Sequence, residues 1–284
     1  MDRSSGSRVT LLDGFGLRLS GVARPSAGDD LPRAVQRLVA LVCLSHRPTR
    51  TATAGRLWPD VPEDHAHGSL RSALWRLNKA APGLVEVSGG ALRLGTDVRV
   101  DVSEMSDWAL GAIGASVRSD RAVRASTDLP DTDLLGDLLP GWYDDWVLLE
   151  RERLRQLRMQ ALEAVAARLL SLGRHGEALE AAHAAVGAEP LRESARRILV
   201  RIHLAEGNLA EAVRAYELFR TLLEDELGVP PTEQMTRLVQ HIPQVRRGLA
   251  VRSRPRPDQL VPRPGATAAA PARRRATAGL PGGH

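Results

Sequence analysis

A chain of 284 residues with 43% hydrophobic side chains is long enough for two ordinary domains, each with its own core. Its single cysteine, Cys43, excludes a disulfide framework and a thiolate metal site, and no run reaches the roughly 18 apolar residues of a membrane span. Charge divides by region: residues 1–103 carry a net +4, residues 104–242 a net −7 and residues 243–284 a net +8. A basic front, an acidic middle and a basic end suit a nucleic-acid reader joined to a protein-interaction module.

Residues 1–7 are expected to be flexible, and Met1 to Arg8 lack the apolar stretch of a secretory signal. From residue 8 to 22, short apolar runs broken by Asp13-Gly14 and Gly16 predict small strands with tight turns. Asp30 and Pro32 then open a helix. Its apolar stripe, Leu31, Val35, Leu38 and Val42, recurs at three- and four-residue steps. Arg47-Pro48 stops it. A short second helix is predicted from Thr49 to Trp58, closed by Pro59 and Pro62, and a third over 66–80 with Leu70, Leu74 and Leu77 facing inward. Alternation around Gly89-Gly90 over residues 84–102 predicts a hairpin with a glycine turn. Three helices followed by a hairpin is the order of a winged helix-turn-helix, placed here at residues 8–103.

Beyond residue 104 strand signals vanish. A long helix is predicted over 143–172. The segment Gly173 to Leu179 then returns as Gly207 to Val213, an offset that matches the tetratricopeptide period of about 34 residues. Ala178 and Ala212 let paired helices approach, and each pair leaves an apolar face for the next to cover. The expectation is therefore a mainly α chain with a small β component, its second domain (104–242) a tetratricopeptide-like all-α stack. Residues 243–284, rich in Pro, Arg, Ala and Gly, are expected to be a disordered basic tail.

Several motifs carry a resemblance to a known family. They are Leu57-Trp58-Pro59, Ser69 to Leu77 (SLRSALWRL), Asp101-Val102, Trp142 to Leu157, Glu189 to Glu193, Ala215-Tyr216-Glu217 and Glu226-Leu227-Gly228-Val229-Pro230-Pro231. Together they resemble the Streptomyces antibiotic regulatory protein family, an OmpR-type winged helix followed by a bacterial transcriptional activator domain. The likeness spans about residues 8–242. Ala91 and Leu92 depart from it, since the family carries an aromatic after the glycine turn. With neither a membrane span nor a secretory signal the protein is expected to be cytoplasmic, and the resemblance implies a nucleoid-associated activator that binds promoter direct repeats with side-by-side protomers and recruits RNA polymerase holoenzyme. It further implies control of a secondary-metabolite (antibiotic) gene cluster.

In a winged helix the third helix enters the major groove, so side chains left outside its leucine stripe meet base edges. The candidates on that helix are Arg71, Ser72, Trp75, Arg76, Asn78 and Lys79. Arg47 and Arg50, at the entry to the second helix, are placed for phosphate. Arg93 and Arg99, read as hairpin residues, are candidates for the backbone or the minor groove. Bland alternatives stand beside these readings: cations on a helix surface are often only solvated, Trp75 packs as readily as it reads, and Trp58 reads as core. The pair His65 and His67 has no helical ligand geometry, so no metal is expected. Asp144, Asp145, Glu150 and Glu152, interleaved with Arg151, Arg153 and Arg155, read as a solvated ion-paired face. Without a Walker sequence, a dinucleotide turn or a serine elbow, neither an enzyme nor a cofactor is expected. The rival functional reading is a tetratricopeptide adaptor whose front domain has lost DNA binding; a small-molecule sensor in the stack is a weaker third.

Overall fold

A computed structural model describes residues 6–20, 30–114, 127–130 and 134–242. The expected basic tail therefore lies outside the described residues, as do residues 1–5. The chain divides into two units, Met1–Val239 and Gln240–His284, and only residues 240–242 of the second are described.

The first unit opens with β1 (Ser7–Thr10) and β2 (Gly16–Arg18), followed by α1 (Arg33–Leu44), α2 (Arg50–Leu57) and α3 (Glu63–Ala80). The hairpin β3 (Val85–Ser88) and β4 (Ala91–Leu94) comes next, and then β5 (Val98–Val100). Ser7, expected in a flexible end, instead pairs with Val98. Gly89 and Gly90 turn the hairpin with φ of 59° and 78°, the two left-handed residues of a type I′ turn. The third run of the alternating segment does not extend this hairpin. It crosses to β1, where Val9 pairs in parallel with Val100 and antiparallel with Leu17. Those three side chains are buried, because alternate residues of adjacent strands share a face.

Helix α4 (Asp101–Gly114) follows β5 with no loop, beginning three residues before the expected boundary at 104. It packs through Met105, Ala109 and Ala112 toward α5 (Asp145–Ser171), where Arg168 donates to the Ala112 carbonyl at 3.1 Å. The helices α6 (His175–Ala188), α7 (Glu193–Ala205), α8 (Leu209–Leu227) and α9 (Glu233–Val239) complete the stack. Both copies of the repeat fold alike. Gly173 (φ 73°) and Gly207 (φ 79°) end α5 and α7. The next N–H bonds five residues back in each, Arg174 to Leu169 at 3.0 Å and Asn208 to His203 at 2.8 Å. This is the Schellman closure that left-handed glycine permits. The alanines of the motif, Ala178 and Ala212, are fully buried.

Between α4 and α5, residues 134–144 form a strap over the N-terminal strands. Leu139 N–H donates to the Leu11 carbonyl and Asp13 N–H to that of Asp137, both at 2.8 Å. Its own Leu138, Leu139 and Trp142 are buried. The acidic–basic run of α5 consequently splits in two. Glu150–Arg153 (2.6 Å) and Glu152–Arg155 (2.8 Å) are the exposed pairs expected of a solvated face. Asp144, by contrast, pairs with Arg37 of α1, and Arg151 donates to the carbonyls of Leu138, Leu139 and Trp142 at 2.9, 2.8 and 3.1 Å. Those two residues fasten the strap rather than decorate a surface. Among the described residues, no helix is long and apolar enough to cross a membrane.

Candidate nucleic-acid interface

Helix α3 starts where Pro62 (φ −55°) sets an extended-to-helical corner, and Glu63 and Asp64 occupy its first turn, where acids suit the helix dipole. Its buried stripe is Ala66, Leu70, Ala73 and Leu77. Leu74, expected to face inward, is only half-buried. Two alanines take positions that a leucine-led reading overlooks, and their small side chains let α3 lie close to the elements beneath it.

The opposite arc is the candidate surface. At 100° per residue, Arg71, Trp75 and Lys79 form one row at four-residue steps, and Gly68, Ser72 and Arg76 form a second beside it. Arg71, Ser72, Trp75, Arg76, Asn78 and Lys79 are all exposed. Trp75, at 65% exposure, is not part of the core; its ring lies 5.5 Å from the Lys79 ammonium, which sits over its face. Ser72 has committed its hydroxyl hydrogen to the Gly68 carbonyl at 3.1 Å, which leaves only its lone pairs facing outward. Arg71, Arg76 and Lys79 have no carboxylate partner among the described residues. The contrast with the helical stack is sharp, where Arg174, Arg192, Arg197, Arg220 and Arg237 each hold a glutamate. Unpaired guanidinium and ammonium groups on one helix face are free to meet phosphate or base edges without first breaking an ion pair.

The hairpin is tied to the entry of α2. Leu92 N–H donates to the Pro48 carbonyl at 2.8 Å and Arg50 N–H to that of Gly90 at 3.1 Å. Thr49, the α2 cap, accepts from Ala52 N–H at 3.2 Å and bridges to Ala91. Exposed Arg47 (φ 50°) and half-buried Arg50 therefore sit beside the hairpin turn. Arg93 projects from β4 and pairs with Glu86 across the hairpin at 2.5 Å. Arg99 requires a correction. It lies on β5, in register with Arg8 of β1, and both arginines hold Glu104 of α4, at 3.2 and 3.0 Å. It belongs to the N-terminal sheet and not to the hairpin.

Sequence reasoning missed Arg56, an exposed residue of the last turn of α2 without an acidic partner among the described residues. The signal was available in its position, one residue before the buried Leu57. Trp58, read as core, is half-buried at the C-cap of α2 and lines an open groove of about 710 Å³ along α3 with His65, Gly68, Arg71 and Arg76. His67 lies 3.5 Å from Glu63, and no group of three His, Cys, Asp or Glu among the described residues is arranged to hold a metal. Burial pushes the Cys43 thiol well above the usual range, with the Asp101 carboxylate adding to the effect.

Comparison with known proteins places the chain among regulatory proteins. Residues 109–243 match the bacterial transcriptional activator domain. The regulatory protein AfsR of Streptomyces coelicolor is 35% identical over 227 residues, 76% of this chain and 22% of that protein. AfsR of Streptomyces griseus is 31% identical over 266 residues, 85% of this chain and 27% of that protein. The chain thus spans about a quarter of the length of these relatives. Among solved structures, Mycobacterium tuberculosis EmbR in complex with a low-affinity phosphopeptide has the same fold, with a TM-score of 0.61 at 20% identity, over 85% of this chain and 65% of that one. With a transcriptional activator domain over its helical stack and AfsR as its relative, the chain belongs to the Streptomyces antibiotic regulatory protein family.

Proposed function

We propose that the chain is a sequence-specific DNA-binding transcriptional activator, with residues 8–103 as the DNA-binding domain and residues 104–242 as the activator domain. The observation that carries this reading is the outward face of α3, where Arg71, Trp75, Arg76 and Lys79 stand exposed with no acidic partner among the described residues. In the bound complex α3 lies in the major groove. Arg71 and Arg76 read guanine edges, Asn78 reads adenine, and Arg47, Arg50 and Arg93 hold phosphates beside the hairpin. Trp75 contacts a thymine methyl or a sugar while Lys79 steadies its ring.

Protomers bind promoter direct repeats side by side. Direct repeats relate protomers by translation along the duplex, so contacts between them are heterologous. The acidic helical domain provides protomer contacts, RNA polymerase contacts, or both. Family membership supports a pathway-specific role at a secondary-metabolite gene cluster.

The test is a titration of the chain at fixed salt on the upstream DNA of its neighbouring genes, comparing wild type with Arg71→Ala/Arg76→Ala. Tight, sequence-selective binding that the double variant loses is the expected outcome. Equally weak, unselective binding by both proteins overturns the reading and leaves a helical adaptor in its place.

A further inference from the structure

Helix α3 carries a half-buried glycine, Gly68, opposite its buried stripe of Ala66, Leu70, Ala73 and Leu77, and the fold gives no reason for it. Glycine inside a helix is less stable than alanine. It is kept where a left-handed φ, tight packing or the close approach of another molecule requires it. Gly68 has no positive φ. A methyl group added there meets only the tip of the Arg71 side chain, at 3.8 Å, an ordinary contact with a flexible group. Neither backbone conformation nor internal packing therefore explains the residue.

Its position does. Helical geometry puts Gly68 in the middle of the arc formed by Arg71, Ser72, Trp75 and Lys79, with Arg71 and Arg76 flanking it around the circumference. It also lines the open groove that runs between Trp58 and α3, beside His65, Arg71 and Arg76. The groove also holds Asp64, one turn before Gly68, so its cationic part is the side toward Arg71 and Arg76. On that side a backbone bare of Cβ admits a polyanionic strand closer to the helix axis than any other residue would.

Building on the DNA-binding reading above, we infer that Gly68 is the close-approach point of α3, where one sugar–phosphate strand of the duplex lies against the helix one turn before the base-reading Arg71. Gly68 is a positioning residue. It sets how deep the helix sits and does not itself read a base, so its loss weakens binding by a similar factor on every site sequence.

The experiment uses the full chain and three variants: Gly68→Ala, Arg71→Ala/Arg76→Ala, and Gly111→Ala as a control. Gly111 is an exposed residue of α4 with nothing within 4 Å of an added Cβ. Thermal melts and DNA titrations are made on the same preparations, on the selected site and on single-base variants of it. The expected result is that Gly68→Ala raises Tm by about 2–4 °C yet weakens DNA binding by roughly 10- to 100-fold, equally on all sites. Gly111→Ala raises Tm and leaves binding unchanged. Wild-type affinity in Gly68→Ala, alongside lost binding in the arginine variant, overturns the inference and leaves the DNA-binding reading standing. A lowered Tm makes Gly68 a structural glycine, and a changed base preference makes it a reader; either result overturns the inference. If neither variant alters binding, the DNA-binding reading fails first and the inference falls with it.

Discussion

The Arg33 guanidinium of α1 lies over the Trp142 indole of the strap, 3.5 Å from the ring centroid, and Phe15 stacks against the same indole with centroids 6.2 Å apart. Trp142 is 5% exposed, so one side chain joins the loop after β1, the first helix and the segment leading into α5. Truncating it removes a large buried aromatic together with its cation–π contact. Trp142→Ala is expected to cost about 3–5 kcal/mol. It also loosens the coupling of the N-terminal elements to the helical stack, and scanning calorimetry is expected to show one transition for the wild type and two for the variant. A single, merely lowered transition would show that the other strap contacts suffice for coupling.

Asp101 is the second fastening. It is 3% exposed, and its carboxylate accepts from Leu11 N–H (3.0 and 2.8 Å), Leu12 N–H (2.9 Å) and Val102 N–H (2.7 Å). Asparagine keeps one of the two acceptor oxygens and presents an amide donor to the remaining N–H groups, so Asp101→Asn is expected to lose about 1–3 kcal/mol. Burial raises the Asp101 pKa, against the lowering effect of these N–H groups and of Arg8. A raised folded-state value means that the folded chain binds the proton more readily than the unfolded chain. This group's contribution to stability is therefore full below its ordinary value of 3.8 and is lost as pH rises through the folded-state value. The difference between wild type and Asp101→Asn in denaturant melts should accordingly be larger in the acid range than at neutral pH.

These two fastenings mark the limit of what was legible in the sequence. The repeat was readable because Gly173 and Gly207 mark the same local event, a Schellman closure followed at once by a helix start, and local events leave local signatures. The candidate face of α3 was readable for the same reason: three leucines at helical steps define one side and leave the other. Leu74 was misassigned because periodicity weighs large side chains, whereas the core accepted Ala66 and Ala73. Arg99 and Asp144 were misread because their partners are distant. The pairing of β5 with β1 joins residues about 90 positions apart, and Asp144 meets Arg37 across 107. An alternating run looks the same whichever strand it joins. A carboxylate next to arginines in sequence gives no sign that its own arginine lies on another helix.

The corrected place of Arg99 separates two kinds of arginine that the sequence ranked alike, and salt dependence distinguishes them. A cation that neutralises a DNA phosphate releases condensed counterions, so each such contact steepens the dependence of log K on log salt by about 0.9. Arg47 and Arg50 adjoin the hairpin turn and hold no carboxylate among the described residues. Replacing either with alanine is expected to shallow the slope by about 1 and to weaken selected and unselected DNA alike. Arg71→Ala and Arg76→Ala should instead cost about 1–3 kcal/mol on the selected site and relax preference at one base position each. Arg99 is held by Glu104 on the N-terminal sheet, and its replacement should leave slope and preference unchanged. A shallower slope in Arg99→Ala would mean that β5, and not only the hairpin and α3, faces the duplex. In that case the DNA strand runs across the β1–β5 edge, and the set of phosphate contacts has to be redrawn around Arg8 and Arg99.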